Sequence, residues 1–486
     1  MLLNDLMGER ITGELEIKGL TDDSRKVRPG WLFICVKGLK SDGHRYWREA
    51  QAAGAVAIVA ENELDIQSDM TVIKVPDSAR ARRELAVRFY GNPSRGMKLI
   101  GITGTNGKTS TAYITRSILT AAGYRVGLIG TINYMIGEHV FTASHTTPDP
   151  IQLQELLAEM KRQGCQYVVM EVSSHSLDQD RVAGCLFQEG VFTNLTRDHL
   201  DYHHTMEAYG KAKASLFQRL SEDGKAVVNA DDPASGTMIA GRKGRGVIRY
   251  GESPGADIRI LEFTAGCGRS SLKIEKFGKE IWELESGLSG DFNRYNLAAA
   301  VATAVGLGID YSSIKEGVKT MEPIPGRFEV FHGENGVSVI VDYAHTPDGL
   351  DKLLKAAKKI CRGNLITVFG CGGDRDFGKR SQMGEIAARF SDLAVITSDN
   401  PRTENPLKII ESIKEGFSGT ETSNYLVVPD RYQAITQSIK TAEPADVVVI
   451  AGKGHEDYQI IGTKKLPFDD REIVKEGLQM LKAKQT

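Results

Sequence analysis

Apolar residues run along this chain in short blocks separated by helical or turn-forming stretches. Residues 1 to about 95 hold WLFICV at 31–36, AVAIVA at 55–60 and TVIKV at 71–75, interleaved with helical segments such as ARRELAVRFYG. That part closes on the breaker cluster Gly91-Asn92-Pro93-Ser94. From Lys98 come the strand KLIGITG, a glycine-rich turn and the helix TSTAYITRSILTAAG. The runs VGLIG, YVVMEVSS, EGVFTNL and AVVNADD follow, spaced by helical segments, an alternation that predicts a parallel sheet with right-handed crossovers. At 256–288 the period changes, and DIRILEF and SLKIEKFGKEIWELE alternate as β-hairpins do. After the helix NLAAAVATAVGLG and the turn-rich EPIPGRFE, strand–helix alternation resumes through VSVIVDY, NLITVFG, LAVITSD, YLVVP and DVVVIAGKG. The pattern predicts an α/β protein of three domains, 1–95, 96–326 and 327–486. The central one has a mainly parallel sheet, and the last is Rossmann-like.

The length of 486 residues agrees with about three domains at roughly 150 residues each. Net charge is 61 − 63 = −2, so no global basic field exists to hold a nucleic acid, and any bound anion needs a local site. An apolar fraction of 41% is enough to fill several cores, which argues against disorder. The six cysteines, Cys35, Cys165, Cys185, Cys267, Cys361 and Cys371, are scattered singly with no C-x-x-C pair. That spacing suggests neither a zinc site nor a disulfide framework and fits a reducing compartment. The first residues carry acids where a secretion signal has a basic start, and no apolar run approaches the roughly 18 residues of a membrane span. A cytoplasmic protein without membrane insertion is expected.

The strongest single motif is Gly101 to Ser110, GITGTNGKTS, between a strand and a helix. Its glycines let successive backbone N–H groups face phosphate oxygens, the helix N-terminus adds its dipole, Lys108 can reach the terminal phosphates and Thr109 can ligate magnesium. Ile102 stands where the strict phosphate-loop pattern has glycine, so the loop is a variant. ATP binding is the reading, and a kinase, an ATPase or an ATP-driven ligase would each carry such a loop. Other strand ends narrow the choice. Glu171 and His175 follow YVVM, and Asn194, Arg197, Asp198, His199, Asp201 and His203 follow the next strand. Acids and histidines at the ends of successive strands fit a metal and phosphoryl site better than a core.

These motifs resemble the Mur ligase family of peptidoglycan synthesis. The resemblance rests on GTNGKTS (104–110), EVSSH (171–175), NLTRDHLDYH (194–203), FNRYN (292–296), PGRFE (325–329), DYAHTPDGL (342–350), GCGGDRDFGKR (370–380), SDNPRTENP (398–406) and AGKGHEDYQ (451–459). Asp23-Ser24-Arg25, Pro29-Gly30-Trp31-Leu32-Phe33 and Asp42-Gly43-His44 look like the uridine-nucleotide domain of the branch that forms the tripeptide. The resemblance therefore spans nearly the whole chain. It implies a UDP-sugar domain at 1–95, a phosphate-loop ATPase domain at 96–326 and an amino-acid-binding domain at 327–486, acting as a monomer. It also implies a reaction: ATP phosphorylates a carboxylate of UDP-N-acetylmuramoyl-L-alanyl-D-glutamate, and the amine of a diamino acid attacks the acyl phosphate.

By the same resemblance Lys108, Glu171, His199 and Lys213 are the catalytic set. Thr109 and Glu171 hold one magnesium ion, and His199 with a carbamylated Lys213 holds a second. CO₂ converts that lysine from a cation that repels metal into an anion that binds it. Gly104, Thr105, Asn106, Gly107, Lys108, Thr109 and Ser110 cradle the ATP phosphates, with Asn293, Arg327, Asp342 and His345 as further ATP contacts. PGRFE can equally be a linker turn, because Pro325-Gly326 is punctuation in its own right. For the nucleotide-peptide the matching positions are Ser24, Thr146, Thr147, Ser173, Gln179 and Arg181, the last a natural carboxylate fork. His145 and Ser176 depart from the usual family residues beside that path.

Asp399-Asn400-Pro401-Arg402 matches the motif of the meso-diaminopimelate-adding enzymes. Diaminopimelate is lysine plus one more carboxylate, and Arg402 with Arg375 supplies paired cations for it. Glu456 and the carbonyl of Gly452 would accept from the distal ammonium. The alternatives are the same ligation with L-lysine or another diamino acid, a paralogue acting on another peptide, a non-catalytic nucleotide sensor, and folylpolyglutamate-type ligation. The two arginines argue against lysine and the intact catalytic set against the sensor. The N-terminal segment argues against the folate enzyme.

Overall fold

A computed structural model describes residues 1–8, 14–38, 41–65, 70–266, 268–418 and 424–482. Cys267 and residues 9–13 of the N-terminal stretch lie outside the described residues.

The first sheet has four parallel strands in chain order, Gly19–Thr21, Trp31–Ile34, Ala55–Ala60 and Thr71–Lys74. The helix Ser78–Phe89 covers it, starting at Asp77, whose carboxylate accepts from the Arg80 N–H at 2.8 Å. Asp42-Gly43-His44 braces this sheet. The Asp42 carboxylate lies 2.7 Å from His44 Nδ1, and His44 Nε2 accepts from the Glu61 N–H at 3.0 Å.

The second sheet has eleven strands. Its middle runs Gly246–Gly251, Leu220–Asn229, Phe187–Phe192, Lys98–Thr103, Tyr167–Glu171 and Val126–Ile129, all parallel. The predicted hairpins extend one edge as Ile258–Gly266, Arg269–Lys276 and Glu280–Ser286. A hairpin that the sequence reading did not contain, Asn133–Ile136 with His139–Thr142, extends the other. Helices Lys108–Ala121 and Asn293–Gly306 pack on one face, and the second of these is buried along most of its length by small apolar residues.

The third sheet runs Glu329–His332, Ser338–Asp342, Val447–Ala451, Leu365–Phe369, Leu393–Ile396 and Tyr425–Val427, with only the first strand antiparallel. Val447–Ala451 inserts between the second and third strands in chain order. The loops after Asp342, Phe369 and Ala451 therefore leave neighbouring strand ends at a topological switch point, where such sheets bind ligands. A short hairpin, Tyr458–Ile461 with Lys464–Pro467, follows, and the helix Asp470–Lys482 ends the described chain.

Candidate active site

The glycine-rich loop leaves the C-terminal end of the strand Lys98–Thr103, between strands ending at Glu171 and Phe192. Two of its glycines are required by shape. A Cβ on Gly104 (φ +150°) would lie 1.9 Å from Thr193 Oγ1, and one on Gly107 (φ +85°) 2.3 Å from Asn296 Oδ1. The segment 193–196 braces the loop. Asn106 N donates to Asn194 Oδ1 at 2.9 Å, Thr193 Oγ1 donates to Asn106 O at 2.6 Å, and Thr105 Oγ1 donates to Thr196 O at 3.1 Å.

Three expected groups meet at Thr109. Its hydroxyl donates to Glu171 Oε2 at 2.9 Å, and Arg327 Nη2 donates to Thr109 Oγ1 at 3.2 Å. Arg327 of PGRFE thus reaches across the seam from the third sheet's side. Glu171 is buried and also accepts from Thr131 through N–H (2.8 Å) and Oγ1 (3.0 Å). The sequence reading had missed Thr131. Its signal is faint, a hydroxyl residue directly after the strand-ending LIG.

Lys213, on the helix Met206–Ala214, is buried and is not a solvated surface lysine. Its Nζ donates to Gly104 O at 2.8 Å and lies 4.3 Å from the Tyr209 ring centroid. Lys108 Nζ donates to the same carbonyl at 2.8 Å and to Thr105 O at 2.9 Å. Burial lowers the pKa of both lysines, and for Lys213 it does so strongly, with the Lys108 charge adding to the effect. A neutral amine is the form that can take up CO₂. His199 (φ +53°) sits edge-on to His175 at 4.9 Å, with Nε2 3.4 Å from Asp198 Oδ2. Burial lowers the His199 pKa and pushes that of His175 down to about 4.

The hydroxyl of Thr109 and the carboxylate of Glu171 are hard oxygen donors that fit a divalent cation beside phosphates. As an ammonium Lys213 does not fit one; as a carbamate it does. No group of three or more His, Cys, Asp or Glu among the described residues forms a cation cage, so phosphate, water or the carbamate would complete a magnesium shell.

Of the other ATP candidates, Asn293 is buried, donates to Ser289 O at 2.6 Å and accepts from Asn296 Nδ2 at 2.8 Å. Asp342 accepts from the N–H groups of Phe328 and Ala344, at 2.7 and 2.8 Å, and so braces the turn that carries Arg327. The His345 ring packs on Tyr343 at 4.6 Å. Asn106 Nδ2 donates to Asp348 Oδ2 at 2.9 Å, a second tie from the phosphate loop to the third sheet's helix Pro347–Ile360.

The expected nucleotide-peptide contacts divide into two groups. Thr146 Oγ1 lies 3.0 Å from Thr131 Oγ1, and Thr147 Oγ1 donates to Glu171 O at 2.8 Å. Arg181 donates to Thr147 O at 3.1 Å and twice to Gln179 Oε1, at 2.9 and 2.7 Å. Ser173 caps the short helix Ser174–Asp178, and Ser176 Oγ donates back to Ser173 O at 2.7 Å. The Ser176 hydroxyl is thus used inside the turn. His145 is tied through its backbone to Tyr134 OH. Ser24 stands apart on the first sheet's module, 3.5 Å from Glu49 Oε2.

In the third module Asp399, Asn400, Pro401 and Arg402 lie against the loop after Ala451. Arg402 (φ +52°) donates from Nη1 to Gly373 O at 2.7 Å, and its backbone pairs with the hairpin at Ile460 and Gly462. Arg375 is exposed, and both arginines lie within 4 Å of the Cβ position of Gly372. A Cβ on Gly452 (φ +115°) would lie 2.6 Å from Asp399 Oδ2. Asn400 Nδ2 donates to Glu456 Oε2 at 3.0 Å. Beneath them Arg431 and Asp470, both fully buried, form a two-pronged ion pair at 2.8 and 2.7 Å; Arg431 also donates to Ala451 O at 3.0 Å. The sequence reading missed this pair, along with Lys453.

Comparisons with known proteins agree across all three sheets. Residues 16–90 match the family described as "Mur ligase family, catalytic domain", 102–304 the Mur ligase middle domain, and 326–454 the Mur ligase glutamate ligase domain. The chain is 45% identical over 491 residues to a Geobacter metallireducens protein named UDP-N-acetylmuramoyl-L-alanyl-D-glutamate–2,6-diaminopimelate ligase, covering 97% of this chain and 96% of the relative. It is 48% identical to the Gloeobacter violaceus protein of the same name, covering 96% and 94%. A solved structure with that name superposes with a TM-score of 0.70 at 32% identity, over 99% of both chains. The fold is shared with a Thermotoga maritima MurF ligase solved with ADP, at TM-score 0.69 and 21% identity, over 98% of this chain and 100% of that one.

Proposed function

The chain belongs to the Mur ligase family, and from that premise we propose that it is the ATP-dependent ligase that joins meso-diaminopimelate to UDP-N-acetylmuramoyl-L-alanyl-D-glutamate in peptidoglycan synthesis. The observation that carries the proposal is the meeting of two motifs at one seam. Arg327 touches Thr109 of the phosphate loop, while the loops that hold Asp399–Arg402 and Glu456 leave strand ends of Arg327's own side.

The backbone N–H groups at the helix start, residues 107–110, and the ammonium of Lys108 hold the ATP phosphates, and Arg327 adds a second cation where charge spreads over the transferring phosphoryl. Thr109 with Glu171, and His199 with a carbamylated Lys213, would hold magnesium ions, whose chemistry when bound is neutralisation of phosphate charge. The D-glutamate carboxylate attacks the γ-phosphorus, a carboxyl-oxygen–phosphorus bond forms and ADP leaves. The amine then attacks the acyl carbon and loses a proton, and inorganic phosphate leaves with the carboxylate oxygen. Arg181 orients the dipeptide's acid end. Arg402 and Arg375 face the distal carboxylate of diaminopimelate. L-lysine brings no carboxylate to these cations and so forgoes that ion pair.

On this reading the enzyme is cytoplasmic and monomeric, with domains at 1–95, 96–326 and 327–486. Cys35, Cys165, Cys185, Cys361 and Cys371 are free thiols, and no helix of the described residues is long and apolar enough to cross a membrane. The chemistry is tested with substrate carrying ¹⁸O in the D-glutamate side-chain carboxyl. The phosphate released with diaminopimelate is expected to carry one labelled oxygen. Unlabelled phosphate alongside amide product would contradict the acyl-phosphate route.

A further inference from the structure

Lys453 is fully buried and plays no part in the reading above. It follows the innermost strand of the third sheet, Val447–Ala451, and has a left-handed glycine on each side. A Cβ on Gly452 (φ +115°) would lie 2.6 Å from Asp399 Oδ2, and one on Gly454 (φ +53°) 2.7 Å from Gly326 O. Only glycine suits both positions, and the two kinks turn the lysine inwards. Its Nζ donates to Asn400 Oδ1 at 3.2 Å and to Glu456 Oε2 at 3.0 Å, and Asn400 Nδ2 donates to the same Oε2 at 3.0 Å. Lysine, amide and carboxylate form a closed triangle. The Lys453 side chain is 0% exposed, whereas that of Glu456 is 15% exposed and so meets solvent.

A buried ammonium persists only where it is paired, and here its one carboxylate partner is a residue of the proposed diamino-acid pocket. That pocket has a difficulty of its own. Glu456 and Arg402 carry opposite charges and both act on Tyr458, so each must be held in place to meet its own end of a zwitterion. Two sets of contacts hold these groups. Gly373 O holds Arg402 Nη1 at 2.7 Å, and Lys453 with Asn400 holds Glu456 Oε2. Both bonds converge on Oε2, and the same carboxylate also interacts with Tyr458.

We infer that Lys453 is a positioning residue for amino-acid specificity: it pins Glu456 from within the fold so that its carboxylate is placed to meet the distal ammonium of the diamino acid. The inference rests on the proposed function and adds to it a residue that touches no substrate.

The test uses steady-state kinetics of the full chain with two amines, meso-diaminopimelate and 2-aminopimelate, which keeps the reacting amine and the distal carboxylate but lacks the distal ammonium. Lys453→Met is expected to lower the preference for diaminopimelate about 10–100-fold through its KM, with kcat and the KM for ATP within about twofold of wild type. Adding Lys453→Met to Glu456→Gln is expected to cost no further preference, since both act on one contact. An unchanged preference, or equal losses with both amines, would overturn the inference, because a merely structural lysine weakens both alike. Should Lys453→Met fail to fold by circular dichroism, Lys453→Gln, which keeps a donor to Asn400 without the charge, carries the same comparison. A wild-type chain that does not turn over diaminopimelate would fail the proposed function itself, and the inference with it.

Discussion

Glu189 is fully buried on the strand Phe187–Phe192, and neither of its carboxylate oxygens has a hydrogen-bond partner. Burial raises its pKa well above the ordinary carboxyl range, with Lys225 opposing the shift. The folded chain therefore keeps a proton that the unfolded chain releases above about pH 4. The stability tied to that proton is fully present below the unfolded pKa and is lost as pH rises towards the folded one. Glu189→Gln removes the titration, so its Tm is expected to gain on wild type progressively from pH 5 to pH 9, measured by calorimetry; parallel Tm profiles would contradict this. Lys213 shows the same effect on a cation, because burial favours its neutral amine. Its place was legible only through the motif around it, since YGKAKASLF by itself reads as an amphipathic surface helix. Thr131 and Lys453 were not legible, because a single hydroxyl or lysine acquires its partners only when distant strand ends are brought together.

Among elements, the parallel strands were readable because both their faces are buried and the chain spells them as apolar runs, as in VVVIA at 447–451. The missed hairpins lie outside the parallel strands, one at a sheet edge and one as a separate two-stranded sheet, where that signal is absent: His139–Thr142 and Lys464–Pro467 are exposed throughout. Their tight turns, at Gly137-Glu138 and Gly462-Thr463, were the available signal. The Arg431–Asp470 pair locks the helix Asp470–Lys482 to the strand that leads into Lys453, through the Arg431 bond to Ala451 O. Asp470→Asn would leave a buried guanidinium without its counter-charge, at an expected cost of about 3–5 kcal/mol. Urea denaturation should show an earlier midpoint for the transition reported by the third module. An unchanged midpoint would mean that the pair is not stabilising.

For the whole molecule, the order of strands and helices was legible because each of the three sheets follows its own stretch of sequence, whereas the seam between the second and third was not. That seam is mostly polar, with Arg327 tied to Thr109, Asn106 to Asp348 and Lys359 to Asp291 beside one aromatic contact, Phe292 against Phe328 at 5.8 Å. A polar seam can open and close, and the proposed reaction needs both sides at one acyl phosphate. Small-angle scattering is expected to give a smaller radius of gyration with an ATP analogue and nucleotide-peptide than for the free chain. An equal radius would count against closure.

Which amine the site accepts can be read from phosphate release. The purified chain would be given ATP, magnesium and UDP-N-acetylmuramoyl-L-alanyl-D-glutamate, with either meso-diaminopimelate or L-lysine. Release with diaminopimelate and none above background with lysine is the predicted result, because only diaminopimelate brings a carboxylate to Arg402 and Arg375. Equal release with lysine would contradict that assignment, and no release with either would contradict the proposed reaction.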